Sequence, residues 1–185
     1  MAFILVFVNW GSEGYKWKRL MGKEYRMSTF DSVKAGFAGS ATGAFTPNRV
    51  GGFVGRVMYL PSEHLLSGTL NTFIGNLAQL LATLFFGVLG AITILLAPLE
   101  VDSLQVPGTD WIITPELPLI GFGIGMIILF LVYFYPNKWV AIACKLKPIR
   151  KHEDKLNFLK EHSKKMLLEV FLWSCFRYVV FAFQF

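Results

Sequence analysis

The sequence predicts an all-α protein, a polytopic transmembrane helix bundle that contains one broken, re-entrant helix pair. Of the 185 residues, 54% are hydrophobic and only 16% are charged, whereas soluble domains use charged residues at about a quarter of their positions. Several apolar runs are long enough to cross the ~30 Å hydrocarbon layer of a bilayer as helices. Because lipid offers no water to satisfy an exposed backbone, these runs are expected to be helical.

The whole chain, residues 1–185, is expected to form a single transmembrane domain. Uninterrupted apolar runs set the lengths of its helices, and prolines and polar segments set their ends. The predicted helices span residues 1–21, 29–45, 47–60, 66–97, 119–135 and 167–185, and a basic linker occupies residues 136–166.

The second and third predicted helices are half-helices separated by a break. Residues 35–44 are almost all small, which permits close approach between the backbones of membrane helices. Pro47 cannot continue the preceding helix and restricts Thr46 to an extended conformation, so Thr46 is predicted to be the N-cap of a new helix. We expect the two half-helices to dip into the bilayer and return to the same face.

The distribution of charge predicts the orientation in the membrane. The net charge is +6, yet no Lys or Arg lies between Arg56 and Lys138, and the loop at residues 98–117 carries acidic side chains. Because cytoplasmic segments retain Lys and Arg, this loop is predicted to be periplasmic and the 136–166 linker cytoplasmic. The same rule explains the basic charge without a nucleic-acid partner.

Two arginines beside the break are candidates for anion binding. Arg49 and Arg56 are seven residues apart and share a helix face, and Gly51 and Gly55 form a G-x-x-x-G packing step. A half-helix N-terminus inside the membrane would present free N–H groups to an anionic headgroup beside these arginines. The alternative is a positively charged membrane anchor next to an ordinary packing motif.

The third predicted crossing carries a polar stripe. Its members recur at helical spacing and are Thr72, Asn76, Gln79 and Thr83. Polar side chains in a membrane helix are expected to face the bundle interior or a cavity. Hydrogen bonding between helices and a path for a substrate both explain such a stripe.

Arg177 lies midway along the last apolar run, where a charged residue costs ~2.5–3.5 kcal/mol on insertion scales. Ser174, Arg177 and Gln184 fall on one helix face. Either a bound lipid phosphate or a structural ion pair would offset this cost. Glu13, in the polar part of the first helix, is a candidate partner, whereas Glu169 lies near the cytoplasmic end. We also predict that Arg177 and Arg49 reach one interior cavity.

No motif predicts an enzyme. The sequence lacks the phosphate-binding loop, the H-E-x-x-H zinc motif and the G-x-S-x-G nucleophile motif. Its two cysteines, Cys144 and Cys175, are far apart, and its three histidines are scattered. We therefore expect no catalytic residue, metal or cofactor in this chain.

Four motifs spread over nearly the whole chain carry a resemblance to a known family. They are Asn9-Trp10-x-x-Glu13-x-x-Lys16-Trp17, Thr46-Pro47-Asn48-Arg49-Val50-Gly51 followed by Arg56, Ile74-Gly75-Asn76-x-x-Gln79, and Arg177-Tyr178 followed by Gln184-Phe185. In these segments the sequence resembles the lysylphosphatidylglycerol synthase transmembrane (flippase-like) family, in the form found in Bacteroidetes-type bacteria.

The resemblance implies a multi-pass protein of the bacterial inner membrane that binds and translocates anionic or modified phospholipids. The residues implied or predicted to engage lipid are Glu13, Lys16, Arg49, Arg56, Asn76, Gln79, Arg177 and Gln184. The alternative is a noncatalytic membrane subunit or scaffold for a separately encoded lipid- or glycan-modifying enzyme. Either role allows a homo-oligomer or a membrane enzyme as partner.

Two departures from the family pattern bear on these expectations. The family usually has an acidic residue where this sequence has Gly52, so a transport role that needs this carboxylate would be lost. The chain is also shorter than a full family unit and is expected to be a fragment. The aminoacyl-transferase domain of better-known members has no counterpart here, so aminoacylation is not implied.

Overall fold

The structure, a computed structural model, describes residues 2–22, 24–47, 50–96, 104–105, 112–113, 116–136, 138 and 162–184. Helices dominate these residues, and the predicted all-α fold class is confirmed. The α-helices of the described residues are α1 (Ala2–Met21), α2 (Thr29–Ala44), α3 (Gly51–Val57), α4 (Leu65–Leu96), α5 (Glu116–Phe134) and α6 (Lys164–Ala182). A 3-10 turn, Ser62–His64, leads into α4.

A short antiparallel pairing joins two segments of the predicted outer loop. Strand β1 (Leu104–Gln105) pairs with β2 (Ile112–Ile113), with Leu104 opposite Ile113. Most of the loop at 98–117 and of the linker at 136–166 lies outside the described residues. The predicted membrane sides of these two segments therefore stay predictions.

The helix is interrupted between α2 and α3, and these two helices pack against each other in antiparallel fashion. A Cβ added at Gly55 would lie 2.6 Å from the carbonyl oxygen of Ala38, and one added at Gly51 would lie 2.6 Å from that of Thr42. The Thr42 hydroxyl also donates to the Gly51 carbonyl at 2.7 Å. This contact confirms the close packing predicted from the G-x-x-x-G step. We call residues 29–57 the α2–α3 hairpin.

The second half of this hairpin begins later than the sequence predicts. Helix α3 begins at Gly51 rather than at Pro47, and its N-cap, Val50, makes no side-chain capping bond. The hydroxyl of Thr46 donates back to the Thr42 carbonyl at 3.1 Å and accepts the Gly51 N–H at 2.8 Å. Thr46 therefore ties the end of α2 to the start of α3.

Two clusters of buried apolar side chains meet on α1. One joins α1 to α4, α5 and α6, and it contains Leu20, Ile74, Ala78, Leu81, Tyr133, Met166, Leu167 and Val170. The other joins α1 to the α2–α3 hairpin and the segment that follows it, and it contains Trp17, Met21, Ala35 and Leu60. Helix α1 is thus fixed on two sides near its C-terminal end, which sets the orientation of its polar face.

The outer surfaces of the helices are apolar, with exposed side chains that include Phe3, Phe7, Phe73, Leu80, Ile127 and Phe176. Among the described residues, one helical stretch, Ser62–Leu96, is long and apolar enough to cross a membrane, and only 11% of its most apolar window is buried. A core helix of a soluble protein would be mostly buried. A shorter apolar helix, Leu119–Phe134, packs beside it.

Candidate functional site

The site is built on one polar face of α1. Asn9, Glu13 and Lys16 are spaced by four and three residues, which places them on one side of a helix. This side faces the other helices, because the side chains of Glu13 and Lys16 are only 6% and 1% exposed. Charges buried to this extent require partners.

Glu13 accepts three charged donors from three helices. Its Oε1 accepts from Arg56 Nη2 of α3 at 2.6 Å. Its Oε2 accepts from Arg177 Nη1 of α6 at 2.8 Å and from Lys16 Nζ, on its own helix, at 3.0 Å. Three positive charges therefore surround one carboxylate, and the group, which we call the Glu13 cluster (Glu13, Lys16, Arg56 and Arg177), is positive overall.

Neutral side chains hold the cations of this cluster in place. Arg177 Nε donates to Asn9 Oδ1 at 2.6 Å, and Arg177 Nη1 lies 3.4 Å from Gln79 Oε1. Lys16 Nζ donates to Ser174 Oγ at 3.0 Å and lies 3.5 Å from the same Gln79 oxygen. Helices α1, α4 and α6 are thus connected through one hydrogen-bonded network.

A cavity of about 610 Å³ opens beside the Glu13 cluster. Six of the residues predicted to engage lipid line it, namely Glu13, Arg56, Asn76, Gln79, Arg177 and Gln184. Lys16 is buried behind the wall, in contact with Glu13 and Ser174. Gly52 also lines the cavity, so the position at which the family usually has an acid faces the same space.

Two side chains of the cavity wall carry donors that bond no residue that the structure describes. The side-chain nitrogen of Gln184 is buried and has no hydrogen-bond partner among the residues that the structure describes. Arg177 uses its Nε and Nη1 for the described residues, and its Nη2 takes part in none of those bonds. Both side chains line the cavity. The Gln184 nitrogen itself is closed to solvent, whereas the Arg177 side chain is 31% exposed and can offer its Nη2 to an acceptor on a ligand.

Arg177 also lines a second cavity, of about 320 Å³. This cavity shares Asn9, Gln79, Arg177 and Phe181 with the larger cavity and adds Thr83 and Tyr178. The polar stripe of α4 runs along both spaces, since Thr72, Asn76 and Gln79 line the first and Thr83 lines the second. The polar stripe therefore faces the two cavities. This is expected, because polar side chains are costly to expose to lipid.

The structure places one part of the predicted anion site differently. Helix α3 has seven residues, and the N–H of its first residue, Gly51, donates to Thr46, so the described residues form no half-helix N-terminus open to an anion. Arg49 lies outside the described residues, and its predicted meeting with Arg177 stays a prediction. Glu169 pairs with Arg19 at 2.9 Å instead of with Arg177.

The roles of Asn9 and Ser174 were not predicted from the sequence. Asn9 binds Arg177, and Ser174 binds Lys16. A signal for Asn9 was present, because it stands four residues before Glu13 on the same helix face. Ser174 was placed on the face of Arg177, yet nothing in the sequence pairs it with a buried lysine more than 150 residues away. That pairing depends on how α1 and α6 pack.

Comparison with known families bears on this site. The family model described as lysylphosphatidylglycerol synthase TM region matches residues 1–183. The chain belongs to this family. No curated protein and no solved structure matches it. Membership in the lysylphosphatidylglycerol synthase TM family identifies the chain as a membrane domain with a role in lipid handling.

Proposed function

We propose that this membrane domain binds the phosphate of anionic or modified phospholipids in the 610 Å³ cavity and moves these lipids across the bacterial inner membrane. One observation carries the proposal. Three buried or half-buried cations converge on a single carboxylate at the wall of a polar cavity. The excess of positive charge, together with unused N–H donors, favours an anionic ligand.

The chemistry of the donors suits phosphate. Guanidinium groups bind phosphate oxygens through two parallel hydrogen bonds, and such charge-assisted bonds are roughly twice as strong as neutral ones. Arg56 and Arg177 approach the cavity from two different helices, α3 and α6, and Glu13 holds both in position. A headgroup phosphate between them would offset their mutual repulsion.

The length and flanking contacts of the α2–α3 hairpin support a re-entrant arrangement. The 16 residues of α2 rise about 24 Å at 1.5 Å per residue, which is less than the ~30 Å hydrocarbon layer. The segments that flank the hairpin lie together, because the rings of Tyr25 and His64 are 5.4 Å apart. We propose a re-entrant hairpin within a multi-pass domain, with the loop at 98–117 periplasmic and the linker at 136–166 cytoplasmic.

A scaffold for a separately encoded enzyme is the second candidate function. Arginines packed tightly against other side chains, without a neighbouring space, would favour it. The cavity beside Arg56 and Arg177, and the Gln184 nitrogen that bonds no described residue, favour the lipid-binding function instead.

Binding of phosphatidylglycerol to the purified full chain in lipid nanodiscs, measured by native mass spectrometry, tests this proposal. We expect Arg177→Gln and Arg56→Gln each to weaken binding by about tenfold, because each removes one charge-assisted contact. Arg19→Gln is the matched control, since Arg19 forms an exposed ion pair with Glu169 outside the cavity. Equal binding by all three folded variants would reject the lipid site and favour the scaffold.

A further inference from the structure

The carboxylate of Glu13 occupies an anion site that two arginines form from different helices. Each of its oxygens accepts from one guanidinium group: Oε1 from Arg56 Nη2 at 2.6 Å, and Oε2 from Arg177 Nη1 at 2.8 Å. A phosphodiester likewise carries one negative charge and presents two unesterified oxygens. The two arginines therefore already hold a group of the protein that matches a lipid phosphate in charge and in its pair of free oxygens.

Both arginines are also held at the cavity wall by contacts that do not involve Glu13. Arg177 Nε donates to Asn9 Oδ1 at 2.6 Å. The aliphatic part of Arg56 packs against α2, because a Cβ added at Gly39 would lie 2.6 Å from Arg56 Cγ. The two guanidinium groups can therefore stay in place when Glu13 releases them.

Lys16 provides Glu13 with another partner on the same helix. Lys16 Nζ lies 3.0 Å from Glu13 Oε2, and the two residues are three positions apart on α1. The lysine also donates to Gln79 Oε1 and to Ser174 Oγ, whose own hydrogen goes to the Val170 carbonyl. A neutral amine would leave its lone pair without a donor among these acceptors, which indicates an ammonium. A carboxylate that leaves the arginines thus keeps a charged partner without movement of any helix.

We infer that Glu13 is an internal counter-anion that exchanges with the lipid phosphate, an inference that rests on the proposed function. In the structure, Glu13 pairs with Arg56 and Arg177. A lipid phosphodiester takes its place between the arginines, and Glu13 then pairs with Lys16 alone. Every charge of the Glu13 cluster has a partner of opposite sign before and after the exchange. Because the phosphate has to displace a carboxylate, the exchange lowers the affinity for lipid and favours its release.

A charge-matched double variant tests the exchange. Glu13→Gln combined with Lys16→Met removes one anion and one cation, so the net charge of the cluster is kept while the competing carboxylate is lost. Binding of phosphatidylglycerol to the full chain in an uncharged detergent is measured by native mass spectrometry. We expect the double variant to bind about tenfold more tightly than the unaltered protein, because no carboxylate has to be displaced.

The same paired change in the exposed ion pair, Arg19→Met with Glu169→Gln, is the control and should leave lipid binding unchanged. Equal binding by the double variant and the unaltered protein would overturn the exchange, because net charge alone would then explain the attraction. Weaker binding by the double variant would also overturn it and would show that Glu13 positions the arginines for the lipid.

A second measurement leaves the cluster unaltered, and it holds even if the double variant does not fold. The protein is labelled with ¹³C-glutamate and ¹⁵N-arginine and carries Arg19→Gln, which removes the exposed pair with Glu169. Solid-state NMR in liposomes of a phosphate-free galactolipid should show dipolar coupling between the Glu13 carboxylate and guanidinium nitrogens. Addition of phosphatidylglycerol should reduce this coupling, and undiminished coupling at saturating lipid would overturn the exchange.

Arg177→Gln separates failure of the inference from failure of the proposed function. Unchanged binding of phosphatidylglycerol by this variant would reject the lipid site itself, and the exchange with it. Weakened binding by Arg177→Gln, together with no gain in the charge-matched double variant, would retain the lipid site and reject only the exchange.

Discussion

Helices α1 and α6 are joined by two ion pairs of opposite polarity. In the inner pair, Glu13 of α1 accepts from Arg177 of α6 at 2.8 Å, and the carboxylate is 6% exposed. In the outer pair, Arg19 of α1 donates to Glu169 of α6 at 2.9 Å, and the two side chains are 47% and 32% exposed. The outer carboxylate has one cation and the hydroxyl of Tyr15 as partners, whereas the inner one has three cations.

The difference in burial predicts that the two pairs contribute differently to stability. An exposed pair is screened by solvent and contributes ~0–1 kcal/mol to stability. A buried pair loses hydration that its own attraction barely offsets, so it is weak evidence for a purely stabilising role. The inner pair also carries two further cations, an arrangement that makes sense when an anionic ligand completes it.

The largest expected effect comes from removing the inner carboxylate. Glu13→Gln leaves three cations facing one another without a counter-charge and should lower the free energy of unfolding by ~3–5 kcal/mol. Glu169→Gln, the matched change in the outer pair, should cost no more than ~1 kcal/mol. Denaturant unfolding of both variants in detergent measures the difference, and equal losses would remove the distinction between the two pairs.

A smaller loss of stability is expected when the packing of α3 against α2, which brings Arg56 to Glu13, is disturbed. Gly55→Ala places a methyl group against the Ala38 carbonyl and the Thr42 side chain, and such overpacking costs ~1–3 kcal/mol. The change should also separate α3 from α2 and weaken the contact between Arg56 and Glu13.

Gly36→Ala is the control for this change on the same hairpin, because nothing lies within 4 Å of an added Cβ there. It should leave stability unchanged or raise it by up to ~1 kcal/mol through helix propensity. Thermal unfolding of the two variants in parallel measures this difference in stability. A Gly55 variant as stable as the Gly36 variant would contradict the close hairpin packing.

The smallest effect is expected for the outer pair itself. Arg19→Gln should change the unfolding free energy by less than ~1 kcal/mol, because Arg19 is 47% exposed and its pairing with Glu169 is screened. The same variant should bind phosphatidylglycerol like the unaltered protein. Loss of lipid binding in this variant, measured by native mass spectrometry, would show that the lipid site extends to the exposed pair.

Much of the fold follows from local sequence properties. The lengths of the apolar runs predicted the long helices to within about three residues, since the apolar span and its polar ends are read along one segment. The start of α3 could not be predicted in this way. It depends on the hydrogen bonds of Thr46 to Thr42 and to Gly51, and these bonds form only when the two helices of the hairpin pack together.

The sequence predicted the candidate site through the energetic cost of placing Arg177 in an apolar run. It predicted fewer of the contacts that the site residues make with one another. Arg177 in an apolar run demands a partner, and Glu13 on the polar turn of α1 was a candidate that the structure joins to it at 2.8 Å. The contact of Lys16 with Glu13 was readable, because the two stand three residues apart on one helix. That Arg56 reaches the same carboxylate could not be read from the sequence. This contact requires the hairpin to pack on α1, which involves contacts far apart along the chain.

The central claim is that the excess positive charge of the Glu13 cluster holds a lipid phosphate. Solid-state NMR dipolar recoupling between the phosphorus of phosphatidylglycerol and the side-chain nitrogens of protein labelled with ¹⁵N-arginine tests it most directly. We predict close nitrogen–phosphorus contacts that Arg177→Gln reduces and Arg19→Gln preserves. Contacts that persist in the Arg177 variant and disappear in the Arg19 variant would place the phosphate at the exposed surface and contradict the account.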